Sequence, residues 1–147
     1  SRRIYKGTNI MLHALERLKA KYPGKMEIVK VESVPYNTYQ HLMNSSDVIL
    51  DQLYSYTPSM NPLLAMAKGL VTVGGGEPEN YEILNEKELR PIVNVQPNEN
   101  DVFMQMEKLI TGEYNLQKMS EQSIEYIDRH HHYIKVARQY VKYWNSI

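Results

Sequence analysis

Residues 48–76, VILDQLYSYTPSMNPLLAMAKGLVTVGGG, restrict the possible folds more than any other stretch of this chain. An apolar run from Val48 to Leu53 ends in a polar, Pro-containing loop, and a short apolar helix over Ser59 to Lys68 follows, stopped by Gly69. A second apolar run, Leu70 to Val73, then enters Gly74-Gly75-Gly76. Two such runs with a helix between them read as buried parallel strands joined by a crossover, a βαβ unit. Its loop opens a helix N-terminus at the carboxyl end of a strand. There the unpaired N–H groups of the first turn and the helix dipole both favour an anion, which is why open α/β sheets bind phosphorylated ligands at such points.

Around this unit, strand and helix patterns alternate. Arg2 to Gly7 reads as a loop, with Thr8 or Asn9 capping a helix whose apolar side is Ile10, Met11, Ala14, Leu15 and Leu18. Met26 to Val34 has the pattern of a strand, and a helix carrying Tyr36, Tyr39, Leu42 and Met43 begins at Pro35. After the glycines, Glu77 to Asn85 predicts a short acidic helix and Ile92 to Val95 a strand. Asn98 or Asn100 can cap the next helix, which Gly112 ends. From Tyr114 onward the chain reads as almost wholly helical. Ile124, Ile127, His131, Ile134, Ala137, Val141 and Trp144 form one seam about six turns long, with Tyr126, Tyr133 and Tyr140 as a second stripe. The expected architecture is a Rossmann-like three-layer α/β/α domain with a mostly parallel sheet and a long C-terminal helical segment. A parallel sheet normally places a strand before the first helix. Little precedes it here, so residues 1–147 read as a single domain cut from a longer protein.

The length suffices for one independent core. Lys and Arg together number 17, as do Asp and Glu, which removes the electrostatic case for a nucleic-acid polymer. No apolar stretch of membrane-spanning length and no leader pattern occurs, so a cytoplasmic setting is expected. The absence of cysteine excludes disulfides and thiolate metal sites.

Candidate chemistry falls in four places. Arg2, Arg3 and Lys6 beside Gly7 precede a helix and suit a diphosphate, since Arg binds oxygens in pairs and Lys adds a point charge; a solvated terminus is the plain alternative. In Ser55 to Pro62, Ser59 or Asn61 can cap and Pro62 fits the first helical position, which makes either an amide cradle for an anion or an ordinary βα turn. Gly74 to Gly76 permit close backbone approach, but Glu79 stands where a G-x-G-x-x-G fingerprint needs glycine, and an acidic helix start repels phosphate. That loop suits sugar hydroxyls or a plain turn. His130, His131 and His132 point about 100° apart on a helix and cannot converge on one metal; His131 is expected to be a hydrogen-bonded packing residue.

Lys6-Gly7-Thr8, Ser46-Asp47-Val48, Leu63 to Gly69 (LLAMAKG) and Gly75-Gly76-Glu77, in this order and spacing, resemble the C-terminal domain of GT-B glycosyltransferases, specifically the group 1 family of retaining enzymes. The likeness runs across nearly the whole chain. It implies a donor half that holds a nucleotide-diphosphate sugar, in polysaccharide biosynthesis or a similar transfer, while a separate N-terminal domain holds the acceptor. It implies no cofactor and no metal, and places any peripheral membrane association in that N-terminal domain. By position, the family's cationic pair at the diphosphate falls on Arg2 or Arg3 and on Lys6. The helix meeting the phosphates begins near Ser59, Met60 and Asn61. Tyr56, Leu64, Gly75, Gly76 and Glu77 lie around the sugar and ribose.

One departure is serious. The family's two glutamates, with seven residues between them, fall on Tyr56 and Leu64, so both polar contacts are lost. The pairs Glu99/Glu107 and Glu113/Glu121 have the spacing by chance, in helices without the loop. Two readings follow: a transferase in which Glu77, Glu79 or Asn61 replaces the lost carboxylates as catalytic or donor-contacting groups, or a catalytically degenerate nucleotide-binding or protein-interaction module of the same fold. A phosphate-sensing signalling domain is disfavoured, because only Asp47 and Asp51 lie near the strand ends. The resemblance also implies that part of the final helix's Tyr/Trp face is exposed in this chain alone.

Overall fold

A computed structural model describes residues 2–147, leaving aside the side chains of Arg2 and Arg3. The two arginines named as diphosphate contacts therefore lie outside the described side chains. The element order is α1 (Arg2–Lys6), α2 (Thr8–Lys21), α3 (Tyr36–Asn44), β1 (Val48–Leu50), α4 (Met60–Ala67), β2 (Val71–Val73), α5 (Pro78–Ile83), β3 (Ile92–Val93), α6 (Glu99–Thr111), α7 (Leu116–His130) and α8 (Tyr133–Trp144).

The strands form a parallel sheet in the order β1-β2-β3, with Val48 opposite Val71 and Thr72 opposite Ile92. The expected βαβ unit is thus present, and α4 is its crossover. Every residue of β2 is buried, as expected for a central parallel strand covered on both faces. Val71, Val73, Val93 and Val95 pack with Met11, Ala14 and Leu18 of α2 and Val102, Met106 and Leu109 of α6. Ile92, the neighbour of Val93, belongs instead with Met66, Tyr81, Leu89 and Tyr126. Successive strand residues point to opposite faces, so the two clusters share one sheet.

Surface ion pairs fasten α2 to α6. Arg17 Nη1 donates to Glu99 Oε1 at 2.6 Å, and Lys21 Nζ donates to Glu107 Oε1 at 2.6 Å. Glu99 and Glu107, one of the two pairs with the family-like spacing, are accordingly helix fasteners. Of the two candidate caps for α6, Asn98 is the one used: its Oδ1 accepts from Asp101 N at 2.9 Å, and Gly112 (φ 79°) ends the helix. Asn98→Ala is expected to cost about 1 kcal/mol in thermal unfolding. Asn100→Ala, which loses only a 3.3 Å surface bond from Arg17, should stay within about 0.5 kcal/mol.

Three expectations are corrected. Arg2 to Lys6 is a helix, and Gly7, left-handed at φ 70°, turns the chain into α2 in place of a Thr8 or Asn9 cap. Met26 to Val34 forms no strand. Met26, Ile28 and Val31 are half-buried and, together with β1, line a cavity of about 630 Å³, and the segment joins no ladder. The C-terminal seam is also interrupted. The buried side of α7 is Met119, Ser123 and Tyr126, while Ile124 is 49% exposed. The chain breaks at His131-His132, because the His132 ring accepts from Ile134 N and starts α8. Lys135 Nζ of α8 donates to the Asp128 carbonyl at 2.6 Å and its carboxylate at 2.9 Å, satisfying an orphan group near the end of α7. Among the described residues no helix is long and apolar enough to cross a membrane.

Candidate functional site

The carboxyl ends of β1 and β2 converge on Asp51. Its N–H donates to Val73 O at 3.0 Å, which extends the ladder past β1 and holds the residue at the mouth of the sheet. The Asp51 side chain is buried, and its two oxygens accept from Ser59 N and Ser59 Oγ, each at 3.2 Å. Lys6 Nζ lies 3.6 Å from Asp51 Oδ1 and is 41% exposed. The Lys6 carbonyl also accepts from Leu53 N at 3.1 Å, tying the α1–α2 turn to the exit of β1. Two distant segments of sequence, Lys6 and Ser59, therefore meet at one carboxylate.

Around this centre the candidate residues have distinct surroundings. Ser59 holds the cap position of α4, but its side chain caps nothing: the hydroxyl donates to Asp51. Met60 and Asn61 are the first two helical residues and are exposed, and helix geometry leaves their N–H groups without intrahelical partners. Pro62 is the third helical residue, not the first, which is still within the turn where its missing N–H costs nothing. Gly74, Gly75 and Gly76 are all buried, so they do not offer an open loop to a ligand. A Cβ at Gly75 would lie 2.8 Å from the Thr57 carbonyl and 2.9 Å from Pro58 N. Gly75 thus serves close packing of the β2 exit against the loop that opens α4, while Gly74 packs against the Gln52 backbone and Gly76 against the Ile92 side chain. Glu77 Oε1 accepts from Gln96 Nε2 at 3.0 Å, while Glu79 stands exposed in the first turn of α5, where its charge suits the helix dipole. Tyr56 is exposed. Leu64 packs on the cluster of Met43, Ala65 and Leu70.

A second polar cluster went unnoticed in the sequence. Glu86, buried just after α5, accepts from Glu88 N at 2.8 Å, Leu89 N at 3.0 Å and Arg129 Nη1 at 3.0 Å, and pairs with His130 Nε2 at 2.6 Å. Burial alone would raise its pKa. The His130 hydrogen bond, the two amides and the Arg129 charge outweigh that and bring it down to about 2. An ionised carboxylate only accepts, so His130 carries the proton on Nε2. His131 is packed against Tyr126, and burial first, then His130, lowers its pKa. Its Nε2 is buried without a hydrogen-bond partner, which corrects the expectation of a bonded packing residue. Tyr126 lies beside these rings and accepts at Oη from Asn80 Nδ2 at 3.0 Å. The three histidines thus do three separate things. Among the described residues no group of His, Asp and Glu is arranged to hold a metal ion.

Asp51 and Glu86 are the buried acids on which the two polar clusters centre. Asp51 had a signal, an acid closing an apolar run eight residues before a candidate cap. Glu86 had none, because its side-chain partners lie 43 and 44 residues away on α7.

The fold defines a class: a mixed α/β protein with a small parallel sheet and a Lys6–Asp51 ion pair at the carboxyl end of its first strand. Comparison with known protein families, with curated proteins and with solved structures finds no match to this chain.

Proposed function

We propose that this chain is the donor-binding part of a glycosyltransferase, holding the diphosphate of a nucleotide sugar at the carboxyl ends of β1 and β2. One observation carries the reading: the Lys6 ammonium and the opening turn of α4 share a single mouth of the sheet, meeting at Asp51. A cation and a helix start directed at one point favour an anion with two charged centres. The three-layer, Rossmann-like arrangement belongs to the same proposal and is supported by the opposite packing of Ile92 and Val93. In the unliganded chain Asp51 neutralises Lys6, so binding requires Lys6 to turn from Asp51 to phosphate. Departure of the diphosphate would then be stabilised by Lys6 and the Met60 and Asn61 amides.

Leu64 favours a second reading. Its place in the Met43 cluster leaves the ribose position without a polar group, as in a catalytically degenerate nucleotide-binding module. Calorimetric titration of the chain with UDP, GDP and their sugar conjugates tests both. The donor-site reading expects binding to at least one, weakened about tenfold or more in Lys6→Ala, the loss of one charge-assisted contact. Silence toward every nucleotide would end it. Binding without transfer by a longer protein that includes an acceptor domain would select the degenerate module.

A further inference from the structure

We propose that α8 is an interfacial anchor that lays this chain on an anionic lipid surface. The inference goes beyond the donor site. At 100° per residue, Tyr143, Val136, Tyr140, Tyr133, Trp144, Ala137, Val141 and Ile134 occupy one half of the circumference of α8, and Arg138, Lys142, Lys135 and Gln139 occupy the other. The separation is complete, yet among the described residues the apolar half stays uncovered apart from the half-buried Val136. No residue of α8 is buried, and Tyr133 and Trp144 are 76% and 64% exposed. Of its three cations, Lys135 meets Asp128, while Arg138 and Lys142 form no ion pair among the described residues.

Charge and area select the occupant. From Arg129 to Ile147 the chain has no Asp or Glu, so a balanced sequence ends in a purely cationic segment. A helix with strong segregation, low net hydrophobicity, basic residues on its polar half and Tyr and Trp on the other is suited to lie in the headgroup region, where lysine and arginine stems reach outward to phosphates. Twelve residues are too few to span a bilayer. A second copy is the poorer fit. A helix roughly 18 Å long offers one face of a few hundred Å², well below the about 800 Å² per partner of a stable interface. Pairing two such faces also sets like-charged flanks side by side with no carboxylate between them.

Trp144 is the only tryptophan and lies on the proposed contact face, so its emission reports the event. The whole chain is mixed with phosphatidylcholine vesicles that contain or lack about 30% phosphatidylglycerol, an anionic lipid. Co-sedimentation and a blue shift of Trp144 are expected with the anionic vesicles only, and should fade as salt rises. Each cation near an anionic surface is worth roughly a fivefold change in partitioning, so the double variant R138E/K142E should lose about 25-fold or more. Far-UV circular dichroism of that variant should be unchanged. Absence of a shift with anionic vesicles overturns the proposal, as does equal binding to both vesicle types. A concentration-dependent doubling of mass with a Trp144 shift in vesicle-free buffer overturns it in favour of a second copy.

Discussion

Gly75→Ala is expected to destabilise the protein by about 3 kcal/mol or more, because two independent penalties fall on one atom. Gly75 sits at φ +68°, where a side chain costs about 1–2 kcal/mol. Its Cβ would also meet backbone, not a side-chain tip: the Thr57 carbonyl carbon and oxygen at 2.8 Å and Pro58 N at 2.9 Å. Backbone cannot rotate away, so the loop that opens α4 must shift, an overpacking strain of about 1–3 kcal/mol. The molecule supplies its own control. Gly112 has nearly the same backbone angle, φ +79°, but nothing within 4 Å of a built Cβ, so Gly112→Ala carries only the conformational part. Urea unfolding followed by far-UV circular dichroism compares the two. Equal losses within about 0.5 kcal/mol would mean that the 57–58 loop gives way freely. Because that same loop sets the Ser59–Asp51–Lys6 geometry, Gly75→Ala should also weaken any nucleotide binding more than Gly112→Ala does.

The parts of the fold that were legible in sequence are those where burial on both faces leaves no choice. Val71 to Val73 and the apolar turns of α4 fit only a central strand and its crossover, and both form as expected. Met26 to Val34 marks the boundary of such reasoning. Its alternation of Ile28, Val29 and Val31 around Lys30 and Glu32 predicts a strand, yet Val29 is 47% exposed and Ser33 is left-handed at φ 51°. Period-two patterning carries no information about which edge supplies hydrogen bonds, and here none does. The C-terminal seam failed for a different reason. A three-four repeat continues across a helix break if the two helices happen to keep phase. The break depended on His132 capping α8 and Lys135 closing α7, local polar bonds that a hydropathy pattern does not register. At the strand mouth, Lys6 and Ser59 were nameable because each stood beside a recognisable helix start. The buried acid joining them carries no such mark, since an Asp after an apolar run is equally common as a turn residue.

Glu86→Gln is expected to remove about 3 kcal/mol of stability at neutral pH, and to lose that effect in acid. Gln keeps the volume and can still accept from the Glu88 and Leu89 amides. Its NH₂ group, however, is a donor placed among donors, facing Arg129 Nη1 or His130 Nε2. Removing one member of a buried charged cluster costs more than the cluster contributes, because the remaining groups stay desolvated. Arg129 keeps Glu88 and Glu125 as partners at the surface, which moderates the loss; the His130 ring has no other hydrogen-bond partner among the described residues. The pH dependence has a definite sign. The carboxyl is held at about 2 in the folded chain, against an ordinary value of 4.5. A depressed folded value means the unfolded chain takes up protons first, so the stabilisation is complete above about 4.5 and drains away as pH falls toward 2. The neutral variant has no such group to titrate. Unfolding free energies of the two proteins should therefore differ most near neutrality and converge as pH drops below about 3. A gap of the same size at both ends would show that Glu86 is not the ionised centre of this cluster. His131, whose pKa is lowered by burial first and then by His130, steepens acid unfolding in both proteins from about 6.5 downward.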